Sequence, residues 1–232
     1  RLIAPLLQGK QHDPGVVVAD PEGRFAIPLL GGHGAGAEAL AQAVAALLGG
    51  EAVLTGASAA NGQLALDAFG NRWSWRRGPG DWDALMKAAA RGEAVQLEHQ
   101  SGNPRWLQLP GLPEQSASGI RLSVGVERSD HCRWHPPALW VGMGCERGTS
   151  LSLLQRCLEE SLAAEGLAPE AVAGIASADR KADEPALLQL AAQHGWPLRC
   201  FSSAALNAVP VPNPSAVVEA ELGTASVAEA AA

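Results

Sequence analysis

Leu139-Trp140-Val141-Gly142-Met143-Gly144-Cys145-Glu146-Arg147-Gly148-Thr149-Ser150 decides the fold class. The apolar start, Leu139-Trp140-Val141, reads as a buried strand. Gly142, Gly144 and Gly148 make a turn, and Thr149 and Ser150 fall where a helix N-cap belongs, ahead of the apolar-periodic residues 151–158. Strand, glycine loop and capped helix in this order form the unit of an α/β fold. The same unit builds an anion cradle, because the first amides of a helix lack internal partners and its N-terminus carries partial positive charge. The loop lacks the Gly-Lys-Ser/Thr ending of a P-loop. Its third glycine falls at 148, with Arg at 147, one residue later than a dinucleotide fingerprint requires. Two readings stay open: an anion cradle, or a glycine-lined turn that holds no ligand.

Toward the C-terminus the pattern repeats. A helix over 151–165 ends at Gly166, and Gly174–Ser177 is a short strand running into Asp179-Arg180-Lys181. A helix over Glu184–His194 starts at Pro185, the favoured first helical position, and is capped by Gly195. Leu198–Phe201 is the third strand. A helical turn at 202–206, an extended proline-rich loop at 209–215, a helix at 216–221 and a helical pattern at 226–232 complete the chain. These units predict a small, mostly parallel sheet flanked by helices, with ligands bound at the carboxyl ends of the strands. Three polar clusters should meet there: Gly142–Ser150, Ser177–Glu184, and Asn213–Ser215 with Ser226 and Glu229. Backbone donors, Arg147, Arg180, Lys181, hydroxyls and an amide suit a large polycarboxylate ligand, such as a tetrapyrrole with acetate and propionate arms.

Upstream, Gly15–Asp20 and Arg24–Leu30 flank the turn signal Pro21-Glu22-Gly23 and read as a hairpin. A second glycine loop, Gly31–Gly36, leads into a helix over Ala37–Leu48 that stops at Gly49-Gly50, and Glu51–Thr55 reads as the next strand. His33, between glycines, is either a loop histidine satisfied by backbone or a donor or base facing a ligand. Residues 59–109 are mixed, with a helix at 81–90 and a strand at Glu93–His99. Trp73, Trp75, Trp82 and Trp106 there offer a stacking surface or, more simply, the packing of a small subdomain. The stretch Pro110–Gly119 resembles a linker, with the main boundary between Pro104 and Pro137 and a strand at Ile120–Val126. The expected organisation is an α/β chain of two α/β domains: an N-terminal domain at 1–58 lacking its front segment, a middle region at 59–136, and a C-terminal domain at 137–232.

The 232 residues, 47% hydrophobic and 18% charged, suffice for ordinary globular cores. A net charge of −7 with no basic cluster excludes nucleic acid as a partner. No apolar run has membrane-span length and no signal peptide is present, and four scattered cysteines fit a reducing cytoplasm. None of them forms a Cys-x-x-Cys pair. Cys132, between His131 and His135, invites a metal reading but has no second ligand cluster, so no protein metal site is expected. The chain opens at Arg1 and closes within a helical pattern, which reads as a piece of a longer polypeptide.

Four blocks in register, Gly142–Ser150, Ala176–Pro185, Val211–Ser215 and Gly223–Ala232, resemble the cobalt-precorrin-5A hydrolase family of cobalamin biosynthesis (CbiG type). They match its C-terminal domain, which also occurs alone as the CobE-like protein. Arg1–Leu7, Lys10 with Asp13-Pro14, Val16–Val18 and Pro28–His33 are similar to its N-terminal domain. One departure is Glu38, which stands where the family usually carries Asn; another is a strand-and-helix segment that precedes Arg1 in the family. The resemblance implies hydrolytic opening of the δ-lactone of a cobalt-bound tetrapyrrole with loss of acetaldehyde. That chemistry needs a base for water and donors for the acyl oxyanion. It casts His33 or Asp179 as base, and Lys181 with the loop amides as stabilisers of negative charge. Substrate binding falls to Gly142, Gly144, Cys145, Arg147, Gly148, Thr149, Ser150, Ser177, Glu184, Asn213, Ser215, Ser226 and Glu229. Asp179 and Lys181 read equally as a surface ion pair. Cys145 reads as a nucleophile whose pKa a helix N-terminus would lower, or as a small buried turn residue. No cofactor is implied, since cobalt comes with the substrate. Fusion to, or contact with, another corrin-pathway enzyme and a homodimer are open alternatives. The competing functional reading is a non-catalytic carrier of a corrinoid intermediate.

Overall fold

The computed structural model describes residues 3–7, 13–32, 35–54 and 62–232. Along the chain run β1 (Val16–Ala19), β2 (Phe25–Leu30), α1 (Ala37–Leu48), β3 (Glu51–Ala52), β4 (Arg76–Arg77), α2 (Trp82–Ala90), β5 (Gln96–His99), β6 (Arg121–Val124), β7 (Cys132–His135) and β8 (Leu139–Gly142). Then come α3 (Leu151–Ala164), β9 (Val172–Ala178), α4 (Pro185–His194), β10 (Leu198–Phe201), α5 (Ser203–Asn207), α6 (Ala216–Leu222) and α7 (Ala228–Ala231). Two compact units result. One comprises Arg1–Trp73, Pro79–His99 and Asn103–Ser123; the other comprises Ser74–Gly78, Gln100–Gly102 and Val124–Ala232.

In the first unit β1 and β2 pair antiparallel, with Ala19 opposite Ala26. Asp20 closes the turn: the Phe25 amide donates to its carboxylate at 2.7 Å, which holds the Asp20 pKa below its usual value. β2 and β3 pair in parallel, so α1 is the crossover between them. Its end follows from Gly49, which takes φ 71° and donates its amide to the Ala45 carbonyl. Ala41 and Ala45 of α1 pack on Ala26, small residues that let helix and sheet approach closely. On the opposite face Val18, Phe25, Ile27 and Leu29 are exposed. The strand expected over Glu51–Thr55 is regular only at Glu51–Ala52, and Thr55 lies outside the described residues. Pro110–Gly119 is stitched into this unit rather than hanging as a linker. The Leu64 amide donates to Gly111, Val95 to Glu114, and Ser116 to Val95.

Two of the tryptophans, Trp73 and Trp106, pack on one phenylalanine. Trp106 is buried against Phe69, with ring centroids 5.3 Å apart, and donates to Nδ1 of His99 at 3.1 Å. Trp73 meets the same Phe69 edge-on. Trp75 belongs to the second unit, where it is buried near Gly102.

The second unit is built on a fully parallel three-stranded sheet of order β10-β9-β8. Leu154, Leu158 and Leu162 of α3 and Leu187 and Leu190 of α4 pack with Ile175 and Trp196 on one face. Ala176 and Ala178, which point the other way, meet Leu206, Val227 and Ala231. Each fully buried leucine contributes roughly 1.5–3 kcal/mol, more than the ~1 kcal/mol typical of a helix cap. The two apolar layers, not the caps, therefore hold the unit together. This α/β architecture sets the loops that follow β8 and β9 side by side.

Candidate functional site

The loop after β8 is organised by what its backbone touches. The Met143 amide continues the ladder by donating to Ala176 at 2.8 Å, and the buried Ser177 hydroxyl donates to the Met143 carbonyl at 2.7 Å. A side chain on Gly142 would overlap the Ala228 carbonyl oxygen, so glycine is what lets α7 lie against β8. Gly148 takes φ 76°, and its amide donates to Oε1 of Glu184 at 3.1 Å. Ser150 caps α3 by accepting from the Leu153 amide at 3.3 Å, and the Thr149 hydroxyl donates to the Glu146 carbonyl at 2.8 Å.

These contacts revise the anion-cradle reading. Glu184 is only 1% exposed, so the anion at Gly148 is the protein's own carboxylate. Its second oxygen, Oε2, is buried without a hydrogen-bond partner, and Nη1 of Arg147 stands 3.9 Å from it. Arg147 itself is exposed. It donates to Asp183 Oδ1 and to the Arg180 carbonyl, both at 2.7 Å, and its guanidinium pulls the Asp183 pKa down. Arg180 in turn donates to the Glu221 carbonyl at 3.2 Å. The first two polar clusters thus meet, but chiefly by binding each other.

The remaining assigned residues divide as follows. Asp179 is exposed at the carboxyl end of β9, where its carboxylate accepts from the Arg180 amide at 2.7 Å. Lys181 is 8% exposed, too buried for a surface ion pair, and its charge acts on both Cys145 and Asp183. Asn213 and Glu229 form their own clasp: Nδ2 donates to Oε1 at 2.6 Å and the Asn213 amide to Oε2 at 3.0 Å. The Ser226 hydroxyl accepts from the Glu229 amide at 3.3 Å, and Ser215 caps α6 through the Val218 amide. His33 and Lys10 lie outside the described residues.

Beside the loop opens a cavity of about 390 Å³. Gly142, Gly144, Cys145 and Thr149 line it with Met143 and Glu146 of the same loop, together with Leu153, Leu154, Cys157, Leu158, Ser161 and Ala228, which sequence reasoning missed. The missed signal was a stripe at 153, 157 and 161, four residues apart on α3 and next to its core stripe at 154, 158 and 162. Cys145 lies six residues before α3 begins, and burial pushes its thiol pKa up despite the opposing charge of Lys181. The nucleophile reading, which needs a lowered pKa, is not supported there. Within the first unit a second cavity of about 420 Å³ adjoins α1 and includes Glu38, Gln42, Gln63, Asn71 and Arg72. Among the described residues no three His, Cys, Asp or Glu side chains are grouped to hold a metal, and no helix is long and apolar enough to cross a membrane.

Two family models match the chain: Cobalamin synthesis G N-terminal over residues 1–59, and Cobalamin synthesis G C-terminus over residues 139–232. A cobalt-precorrin-5A hydrolase from Priestia megaterium is 29% identical over 260 residues, covering 100% of this chain and 68% of the relative. A cobalt-precorrin-5A hydrolase from Salmonella typhimurium is 30% identical over 228 residues, covering 89% of this chain and 64% of the relative. The chain spans about two thirds of the length of these relatives. The crystal structure of CobE, a protein from the cobalamin (vitamin B12) biosynthetic pathway, shares 40% identity over 42% of this chain and 70% of that one, with a TM-score of 0.40. With the N-terminal and C-terminal parts of one family present in order on a single polypeptide, the chain belongs to the cobalamin synthesis G family.

Proposed function

We propose that the chain carries out the reaction named in its relatives, the hydrolysis of cobalt-precorrin-5A in cobalamin biosynthesis, opening a δ-lactone and releasing acetaldehyde. The observation that carries this reading is the alignment of the whole chain with a cobalt-precorrin-5A hydrolase, middle region included. Cobalt enters as part of the substrate, the chain requires no cofactor of its own, and the reaction runs in the cytoplasm. Water adds to the lactone carbonyl, the ring C–O bond breaks and the departing oxygen takes a proton. Cleavage of the adjacent C–C bond then turns that alcohol carbon into acetaldehyde, and the ring carbon left behind is protonated. In this scheme His33 or Asp179 takes the proton from water, and Lys181 offsets negative charge near the loop.

The test is incubation of the protein with cobalt-precorrin-5A and trapping of acetaldehyde as its hydrazone. Stoichiometric acetaldehyde supports the hydrolase. Tight binding by the folded protein without acetaldehyde supports the second reading, a carrier of the same intermediate. On the carrier's side stands the lining of the cavity beside β8, which includes no His, Asp, Lys or Arg.

A further inference from the structure

The wall of the cavity beside the β8 loop is largely apolar. No cationic side chain lines it, and the one lining carboxylate is Glu146. Burial keeps the Cys145 thiol in its neutral form. The nearby guanidinium groups are not part of its wall: Arg147 is tied to Asp183 and the Arg180 carbonyl, and Arg180 to the Glu221 carbonyl. A carboxylate arm entering here would give up water, meet no cation on the wall and face Glu146, with the charge of Lys181 felt only from behind Cys145. An uncharged alkyl-bearing ring edge would instead cover Leu153, Leu154 and Leu158 and pass close to the backbone of Gly144. At about 390 Å³ the space lies near the low end of the ~300–1,000 Å³ range of pockets for drug-sized ligands. It suits one edge of a macrocycle rather than the whole.

We propose that this cavity receives the uncharged, alkyl-substituted edge of the tetrapyrrole and excludes its carboxylate arms. The inference rests on the corrinoid-processing function proposed above. It reverses the expectation that the glycine loop itself grips the anionic arms.

Cys157 provides the probe, because it is exposed and lines the cavity, whereas Cys200 does not line it. The intact chain is treated with N-ethylmaleimide with and without cobyrinic acid, a stable cobalt corrin bearing free carboxylates. Labelling is read by peptide mass spectrometry, and binding is read separately by equilibrium dialysis. Bound cobyrinic acid should slow Cys157 labelling about tenfold and leave Cys200 unchanged. Binding without protection of Cys157 overturns the inference while leaving the corrinoid function standing. No binding by the folded protein overturns both. Ser161, exposed on α3 and part of the lining, supplies a second arm. Ser161→Phe and Ser161→Arg should each weaken binding about tenfold, one by filling the space and the other by placing a charge in it. Tighter binding by Ser161→Arg would show that a carboxylate enters, and would overturn the proposal.

Discussion

Glu184 and Gly148 are joined by a 3.1 Å hydrogen bond in which a carboxylate only 1% exposed accepts the amide of a left-handed glycine. The partners are 36 residues apart, so the bond fastens the loop after β8 to the start of α4. Glu184→Ala leaves the Gly148 amide without its acceptor and should cost about 1–3 kcal/mol. Glu184→Gln retains an oxygen for Gly148 and also removes a buried charge whose Oε2 has no hydrogen-bond partner, so its cost should be smaller. Urea unfolding of the two variants checks this. An alanine variant as stable as the glutamine variant would show that the bond does not hold the loop.

Gly142 and Gly144 look alike in sequence and differ in what surrounds them. A methyl group on Gly142 would overlap the Ala228 carbonyl oxygen, a backbone atom that cannot rotate away, so α7 must shift off β8. Overpacking of this kind costs about 1–3 kcal/mol. A methyl group on Gly144 would lie 3.5 Å from Cβ of Val227, an ordinary contact, and should change stability by no more than about 0.5 kcal/mol. Thermal unfolding of Gly142→Ala and Gly144→Ala should therefore separate them clearly, and equal midpoints would contradict the packing of α7.

His135 on β7 is fully buried, with Nδ1 2.9 Å from the Gly125 carbonyl and Nε2 lacking a hydrogen-bond partner. A carbonyl only accepts, so Nδ1 carries a proton, and burial with no acceptor at Nε2 favours the neutral ring. Burial pushes the His135 pKa below its usual 6.5 and Arg133 adds to the fall, while the Gly125 carbonyl, Glu170 and Glu127 oppose it. As pH drops through about 6.5 the unfolded chain takes up a proton that the folded chain refuses. Stability is thus complete above that pH, declines below it, and stops declining once the folded histidine also titrates. Urea midpoints at pH 7.5 and 5.5 should fall further for the native chain than for His135→Gln. Equal falls would assign the pH dependence to other groups.

Local signals in the sequence carried the architecture. Gly49 and Gly195 end their helices in the left-handed conformation, Asp81 and Ser150 accept from the first-turn amides, and Pro185 opens α4, each within a few residues of the pattern that announced it. The site was less legible because its meaning is set at long range. A glycine loop before a helix has the same local pattern whether the anion it meets is a ligand or Glu184, 36 residues away. Cavity residues such as Cys157 and Ala228 carry no chemical signature, and only the packing of α7 against Gly142 brings α3 and the chain's end to one space. Trp75 likewise reads as a neighbour of Trp73, although the chain passes from one unit to the other between them.

If the carboxylate arms stay outside the cavity, Arg147 is an exposed cation beside the loop that can meet one. Its planar guanidinium serves Asp183 and the Arg180 carbonyl at once, a two-acceptor geometry that a lysine ammonium does not reproduce. An incoming arm competes with Asp183, whose bond to Arg147 is exposed and weakened by salt. Asp183→Asn should therefore tighten binding of cobyrinic acid several-fold at low ionic strength. Arg147→Ala should weaken it on the order of tenfold, and Arg147→Lys nearly as much. Both differences should shrink in about 0.5 M salt as the charges are screened. Because both side chains of the pair are mostly exposed, thermal midpoints should change little, which separates a binding role from a structural one. Dissociation constants unchanged in both Arg147→Ala and Asp183→Asn would place the carboxylate arms away from this pair.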